Sequence, residues 1–105
     1  MKPLEFLGSS RKDLCEMPAG ARHALGIELM TVRYGGEPSD FKPMKTIGDG
    51  AYKIRYRDSA GAFRVIYVAK FTTAVYVLHA FQKKTQKTGK YDIELAARRY
   101  RMIGV

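Results

Sequence analysis

Residues 51–84 read AYKIRYRDSAGAFRVIYVAKFTTAVYVLHAFQKK and decide the fold. Three runs rich in β-branched and aromatic residues, at 52–57, 63–70 and 74–81, follow one another with short connections. Because short connections join neighbouring strands that run in opposite directions, this stretch predicts an antiparallel meander of three strands. The same stretch carries many lysines and arginines, which a sheet core does not require.

Alternation along the first run separates apolar from basic side chains. Every second residue of a strand shares a face. The apolar face is formed by Tyr52, Ile54 and Tyr56, and the basic face by Lys53, Arg55 and Arg57. The second run is apolar on both faces except for Arg64 at its beginning, a pattern typical of a central strand. The sequence therefore predicts a positively charged patch on one face of the sheet.

Two helices are predicted before the meander. Ser10 is followed three residues later by an acid, which predicts a short helix over 11–17 with Ser10 as its N-cap. From 19 to 34, apolar residues recur at helical spacing, and Gly35-Gly36 supplies a C-cap. The apolar stripe consists of Ala21, Leu25, Leu29 and Val32. Together these features predict a helical hairpin that packs on the sheet.

The remaining segments fit around this centre. Residues 4–7 alternate weakly and predict a short strand that joins the sheet. Residues 37–50 are rich in turn residues and contain Pro43, which cannot donate to a strand ladder, so we expect an irregular approach with Lys42 in solvent. Residues 91–103 predict a closing helix. Its apolar stripe consists of Ile93, Ala96, Ala97, Tyr100 and Ile103.

The length of the chain bounds its architecture. With 105 residues, the chain has the size of one domain and can bury a single core. We therefore expect residues 1–105 to form one α+β domain. Its predicted parts are an N-terminal helical hairpin, a small antiparallel sheet of three or four strands, and a C-terminal helix.

The composition bounds the class of partner. Nineteen Lys and Arg against ten Asp and Glu give a net charge of +9, which favours a polyanion, with nucleic acid as the leading class. One cysteine and two histidines cannot supply an internal disulfide or a metal-ligand cluster, so we expect no cofactor and no metal. No apolar stretch approaches the about 20 residues that a membrane span needs. We expect a cytoplasmic protein without membrane contacts.

The order of elements resembles the RelE/ParE toxin superfamily: two helices, a basic meander and a final helix. Three motifs sharpen the resemblance. They are YKIRY at 52–56, FRVIY at 63–67, and LHAFQKKTQKT at 78–88 followed by IELAARR at 93–99. Together they resemble the phage-derived, HigB-like branch, which contains toxins of type II toxin–antitoxin pairs. The similarity covers nearly the whole chain.

This resemblance implies a toxin that inhibits translation as a ribosome-dependent mRNA endoribonuclease, a hydrolase that uses no metal. In the RelE-type reaction, a ribose 2′-hydroxyl attacks the adjacent phosphate and leaves a cyclic phosphate and a 5′-hydroxyl. The chemistry needs a base for the 2′-hydroxyl, cations for the charge that builds on the phosphate, and an acid for the leaving oxygen.

The resemblance also implies which residues act. Arg64 matches the strand arginine that holds the scissile phosphate, a task suited to a planar guanidinium that binds two oxygens at once. Either Lys83 or Lys84 matches the basic residue that follows the last strand. The candidates for catalysis are Arg64, Lys84, Tyr91 and Lys53. The candidates for RNA binding are Arg55, Arg57, Lys83 and Lys87.

The proton donor stays open at this point. Tyr91 and Asp92 match the position of the family's acid near the final helix. His79 is another titratable candidate, because an imidazole changes its charge near neutral pH. Its alternation with Val77 and Phe81 favours a structural histidine in an apolar setting.

Two other functions are compatible with the same residues. A ParE-like toxin would share the fold and inhibit DNA gyrase without catalysis, and an inactive RNA- or ribosome-binding module would keep only the basic surface. Either kind of toxin implies a cognate antitoxin, expected to be a helix-turn-helix DNA-binding protein. We expect this antitoxin to cover the Lys/Arg surface or to block its entry to the ribosome.

Overall fold

A computed structural model describes residues 1–84 and 88–104 of the chain. In these residues the helices are α1 (Ser10–Cys15), α2 (Ala19–Arg33) and α3 (Lys90–Arg101). The strands are β1 (Leu4–Phe6), β2 (Phe41–Pro43), β3 (Ala51–Asp58), β4 (Gly61–Val68) and β5 (Val75–Lys83). None of the helices in the described ranges is both long and apolar enough to cross a bilayer.

The strands form one sheet with the spatial order β1-β5-β4-β3-β2. β3, β4 and β5 pair antiparallel, as the meander predicts. β2 adds an antiparallel edge strand, whereas β1 pairs parallel with β5 at the other edge. The predicted α+β class is confirmed, but the described sheet has five strands and is mixed instead of purely antiparallel.

The segment before the meander is more regular than expected. Phe41–Pro43 forms β2, which pairs with β3, so the prediction of an irregular approach is wrong at these residues. Pro43 is tolerated because an edge strand needs ladder hydrogen bonds on one side only. The pairing places Lys42 directly opposite Lys53. Lys42 is nevertheless exposed, as predicted.

Each face of the sheet carries its own hydrophobic core. One face packs against α1 and α2 and buries the predicted α2 stripe with Ile54 and Val65 of the sheet. The other face packs against α3 through Ile66, Leu78 and Ala96. The remaining residues of the predicted α3 stripe pack against this second core. The sheet is therefore covered on both sides, which agrees with the two-sided apolar pattern of its central strand.

Helix α1 begins one residue earlier than expected. Ser10 is fully buried within the helix, and its hydroxyl donates to the Val77 carbonyl at 3.2 Å. The preceding Ser9 takes the cap position, and its hydroxyl donates to Asp13 at 2.7 Å. The prediction of Ser10 as the N-cap is wrong, because the sheet offers its hydroxyl a buried acceptor that local spacing does not reveal.

The end of α2 confirms the predicted glycine cap. Gly35 has a φ of 89°, a left-handed conformation that glycine adopts without steric cost. The Gly36 N–H donates to the Thr31 carbonyl at 3.0 Å, and the Gly35 N–H donates to the Val32 carbonyl at 3.0 Å. This pair of hydrogen bonds satisfies carbonyl groups that the helix end leaves open.

A β-bulge in β5 decides which residues face α3. The register changes between the pairs Ile66–His79 and Tyr67–Val77, so Leu78 is the extra residue. His79 therefore faces α3, whereas Val77 packs in the core under α1 and α2. The expectation that His79 alternates with Val77 is wrong, since the bulge breaks the two-residue period of the strand.

Arg99 fastens α3 to this bulge. Its Nη1 donates to the Leu78 carbonyl at 3.0 Å, and its Nη2 donates to the Ser9 hydroxyl at 3.2 Å. The side chain is buried, and the room for its guanidinium comes from Gly8. A Cβ on Gly8 would overlap the guanidinium, and Gly8 has a φ of 56°. The two contacts set where the C-terminal part of α3 lies over the sheet.

Substitution of Gly8 tests this fastening. Gly8→Ala should lower the free energy of unfolding by about 2 kcal/mol or more, because a left-handed alanine costs about 1–2 kcal/mol and Arg99 must also give up its hydrogen bonds. Gly26→Ala, in α2 with no atom outside its own helix within 4 Å of the added Cβ, should instead stabilise by up to about 1 kcal/mol. Urea unfolding measures both. Equal stability of Gly8→Ala and the unmodified protein would contradict the packing described here.

Candidate functional site

The basic residues of the meander meet on the face of the sheet that α3 partly covers. Arg64 lies in the middle of this face, paired with Arg55 on β3 and Phe81 on β5. Its diagonal neighbours on the same two strands are Lys53, Arg57, His79 and Lys83. Cross-strand neighbours on one face lie about 5 Å apart and diagonal ones about 7–8 Å apart. We call Lys53, Arg55, Arg57, Arg64 and Lys83 the cationic cluster.

Arg64 is buried without a counter-ion. The residue is 5% exposed, and none of the ion pairs in the described part of the chain includes it. Its Nη1 donates to the Phe63 carbonyl at 3.0 Å, while Nε is buried and has no acceptor among the described residues. Burial lowers the pKa of Arg64, and the charges of Arg55 and Arg57 lower it further. An anion bound at this position would offset the cost of burying the Arg64 charge and its repulsion from Arg55 and Arg57.

Lys53 is the second buried cation of the cationic cluster. Its Nζ donates to the Thr88 hydroxyl at 2.8 Å, and the residue is 8% exposed. Burial lowers the pKa of Lys53, and the nearby charges of Arg64 and Lys83 add to that effect. Burial followed by the charge of Arg64 also lowers the pKa of Lys83. At a given pH, the neutral amine form of Lys53 and Lys83 is therefore more populated than that of a lysine in water.

Asp40 places one carboxylate beside the cationic cluster. Its Oδ1 accepts from Arg55 Nη2 at 2.7 Å and from Arg55 Nε at 2.9 Å. The backbone fixes the same contact, because the Arg55 N–H donates to the Asp40 carbonyl at 2.9 Å. The negative charge of Asp40 raises the pKa of Arg64, against the effects of burial and of the other arginines. Asp40 thus partly offsets the positive potential of the site.

An open cavity of about 490 Å³ lies between this carboxylate and the arginines. It is lined by Ser39, Asp40, Arg55, Tyr56, Arg57 and Arg64. A guanidinium group can bind a phosphate with two parallel hydrogen bonds. The three arginines in the lining therefore suit this cavity to an anion such as a phosphate group.

His79 lies beside the cationic cluster and connects it to α3. Its Nε2 is 2.7 Å from Asp92 Oδ1, and its ring stacks on Phe81 with a centroid distance of 4.7 Å. The residue is 5% exposed, and Nδ1 is buried without a partner among the described residues. The surroundings of His79 are partly apolar, as predicted, and they also include the carboxylate of Asp92, which lies thirteen residues further along the chain.

Residues 12–101 match the family described as phage-derived protein Gp49-like. The chain belongs to this family. The Gp49-like protein also resembles the solved structure of E. coli toxin RelE, a double arginine-to-alanine variant in the free state, with a TM-score of 0.66. The two chains are 18% identical, and the match covers 97% of each. Comparison with curated proteins gives no match.

At this level of identity the likeness to RelE establishes the fold, and it confirms the predicted RelE-like architecture of the Gp49-like protein. The narrower resemblance to the HigB-like branch stays a prediction. The Gp49-like protein has no group of three or more His, Cys, Asp or Glu side chains, among its described residues, that is placed to hold a metal ion.

Most of the predicted site residues come together in the Gp49-like protein. The five members of the cationic cluster share the face that the alternation of β3 predicts. Lys84 lies beyond the last residue of β5 and is exposed, so Lys83 is the lysine that joins the cluster. Tyr91 is 71% exposed at the start of α3. Lys87 lies outside the described residues.

Three contributors to the site escaped prediction. Asp40 and Thr88 reach the cationic cluster from outside the meander, and no local pattern marks either of them. The charge of Lys42 lowers the pKa values of Lys53 and Lys83. Lys42 lies near them because β2 pairs with β3. A strand assignment at 41–43 is the one signal that would have placed Lys42 there.

Proposed function

We propose that the Gp49-like protein is the toxin of a toxin–antitoxin pair and that it inhibits translation by cutting mRNA on the ribosome. The observation that carries the proposal is Arg64, buried at the centre of the cationic cluster without a carboxylate bound to it. Burying an unpaired charge costs free energy, and such groups concentrate where a ligand of opposite charge binds. An RNA phosphate is that ligand in our proposal.

The cationic cluster offers the charges that RNA cleavage needs. In the proposed reaction, Arg64 and Arg57 bind the scissile phosphate, and Lys53, as a neutral amine, takes the proton from the 2′-hydroxyl. The 2′-oxygen then bonds to phosphorus while the bond to the 5′-oxygen breaks. The products are a 2′,3′-cyclic phosphate and a 5′-hydroxyl. Lys83 and Arg55 stabilise the charge that builds on the phosphate oxygens.

The leaving 5′-oxygen needs a proton, and we assign this role to Tyr91. Its exposed side chain stands next to Asp92, whose carboxylate contacts His79 at 2.7 Å. That contact fixes the first turn of α3 against β5 and leaves the imidazole buried. His79 and Asp92 therefore act in our proposal as positioning residues for the first turn of α3, which carries Tyr91.

The test is cleavage in a translation extract. The purified protein should produce cuts within ribosome-bound mRNA, with 5′-hydroxyl ends, and should leave the same mRNA intact when ribosomes are absent. Arg11→Ala, an exposed change on α1, should not alter the pattern. Full-length message with normal translation would contradict the proposal. Inhibition of gyrase supercoiling without RNA cleavage would instead support the ParE-like alternative.

Substitution of Asp40 tests whether the cavity beside Arg55 takes a phosphate. Asp40→Asn should tighten binding of a short single-stranded RNA by about three- to tenfold at low salt, because it removes a carboxylate that competes for Arg55. The gain should shrink as salt rises. Fluorescence anisotropy with labelled RNA measures it. Asp49→Asn, which breaks the comparable pair with Lys70, is the control and should bind as the unmodified protein does.

If Asp40→Asn and Asp49→Asn bind this RNA equally well, Asp40 does not compete with phosphate. Weaker binding by Asp40→Asn would mean that Asp40 holds Arg55 in its productive orientation. Both results differ from a failure of RNA binding altogether, which would count against the proposed function.

A further inference from the structure

The outer side of α2 carries a contiguous apolar surface in the open. Ile27, Met30 and Tyr34 are 52%, 45% and 69% exposed, at positions separated by three and four residues. Residues with this spacing lie along one side of a helix. They line a groove of about 990 Å³ whose wall is mostly apolar. Apolar patches of this kind on small soluble proteins mark sites of interaction.

The groove is shaped to receive a helix. Gly26 has no side chain and leaves a notch beside Ile27, and no atom outside its own helix lies within 4 Å of a Cβ built on it. Gly36 closes the other end beyond the C-terminus of α2. A stripe with anchors at i, i+3 and i+7 along such a notch is the pattern of a surface that packs against an amphipathic helix.

The charged side chain in the lining of the groove is basic. Among the described residues the lining contains Arg22 and His23 and no acidic residue, and the chain as a whole carries a net charge of +9. A second copy of the same chain would bring equal charge to this surface, which disfavours self-association. A nucleic acid would leave the apolar anchors Ile27 and Met30 uncovered. Complementarity of charge and polarity points to an acidic protein helix.

The groove lies on the side of the protein away from the cationic cluster. The opposite side of α2 buries Leu25 and Leu29 against the core on the first face of the sheet. The cationic cluster occupies the second face, which α3 covers in part. An occupant of the groove is therefore separated from Arg64 by the helix and the thickness of the sheet.

We propose that this groove binds the antitoxin, through an amphipathic helix that places apolar side chains on Ile27, Met30 and Tyr34 and acidic side chains beside Arg22. The inference rests on the proposed function insofar as it takes the partner to be an antitoxin. It agrees with the expectation that the antitoxin blocks entry to the ribosome, and it differs from the alternative that the antitoxin covers the Lys/Arg surface. Neutralisation would then follow from the bulk of the complex, which keeps the toxin out of the ribosome while the cationic cluster stays uncovered.

The test measures the affinity of the purified protein for the purified product of the neighbouring antitoxin reading frame by calorimetry. Met30→Asp should weaken binding by about tenfold or more, because it places a charge at the centre of an apolar contact and repels an acidic helix. Met102→Asp is the control, since Met102 is 64% exposed at the end of α3 and outside the groove. It should bind with unchanged affinity.

A growth assay in cells separates the same two properties, toxicity and binding of the antitoxin. Met30→Asp should stay toxic, because the cationic cluster is intact, and should no longer be neutralised by co-expressed antitoxin. If Met30→Asp fails to fold, as judged by circular dichroism, Tyr34→Asp decides, since Tyr34 is 69% exposed beyond the last residue of α2. Unchanged affinity of the folded groove variant, or no binding by the unmodified protein, overturns the proposal. A selective loss of affinity in a protein that is not toxic supports the groove and contradicts the proposed function.

Discussion

Replacing Arg64 by methionine is expected to abolish RNA cleavage and, at the same time, to make the protein more stable. The guanidinium supplies charge where negative charge develops on the phosphate, and loss of one such group costs about 10²–10³-fold in rate. Arg64 sits in the cationic cluster with two arginines that lower its pKa and without an ion-pair partner in the described chain. The charge of Arg64 therefore lowers the stability of the folded protein and is available to bind a phosphate.

The stability half of this prediction separates a functional from a structural arginine. Methionine fills a similar volume without a charge, so Arg64→Met should raise the free energy of unfolding by about 1 kcal/mol and the melting temperature by about 4–8 °C. Arg99 provides the matched control, because it is also buried but donates to the Leu78 carbonyl and the Ser9 hydroxyl. Arg99→Met should lower stability. Thermal unfolding followed by circular dichroism measures both variants.

A loss of stability in Arg64→Met comparable to that in Arg99→Met would contradict the assignment of Arg64 to phosphate binding. It would indicate that the hydrogen bond from Arg64 Nη1 to the Phe63 carbonyl outweighs the cost of the buried charge. Full cleavage activity in Arg64→Met would also contradict the assignment of Arg64 to phosphate binding.

Lys53→Arg is expected to lower the rate of cleavage by about 10²–10⁴-fold although it keeps the positive charge. An arginine stays protonated at any pH at which the protein is folded, so it cannot take the proton from the 2′-hydroxyl. Lys53 can, because burial and the charges of Arg64 and Lys83 lower its pKa. Lys42→Arg changes an exposed lysine opposite Lys53 in the same way and should leave the rate unchanged.

The pH dependence of the cleavage rate also tests the assignment of Lys53 as the base. The neutral amine is the active form of a base, and its fraction grows about tenfold per pH unit below the pKa. The rate of the unmodified protein should therefore rise with pH across the neutral range and level off above the lowered pKa of Lys53. Lys53→Arg should lose this rise. Single-turnover cleavage of ribosome-bound mRNA measures both profiles, and equal slopes for the two proteins would remove Lys53 from the role of base.

The sequence predicts those parts of the fold that have a clear period. The basic and apolar alternation of β3 and the stripe of α2 each extend over several repeats, so their faces and burial agree with the prediction. The weak alternation at 4–7 predicts β1 but not its parallel direction, and the three residues of β2 are too few for alternation to reveal a strand. The bulge at Leu78 reverses the expected facing of His79, because one extra residue shifts the period without a local signal.

The candidate site divides in the same way. Arg64 and Lys53 follow from the alternation of neighbouring strands, which local sequence encodes. The contacts of Asp40 with Arg55 and of Asp92 with His79 join segments that lie thirteen to fifteen residues apart, and they exist only after the sheet has formed. The groove on α2 also escapes prediction, since Ile27 and Met30 look in sequence like the margin of the buried stripe.

The salt dependence of RNA binding tests the central claim most directly, which is that an RNA phosphate binds Arg64 in the cationic cluster. A short RNA with 2′-O-methyl groups cannot be cleaved, so its affinity can be measured by anisotropy over a series of salt concentrations. Arg64→Met should weaken binding by about tenfold at low salt and reduce the slope of log affinity against log salt by about 0.7, the value for one lost phosphate contact on a single strand. The same affinity and slope as the unmodified protein would contradict the claim.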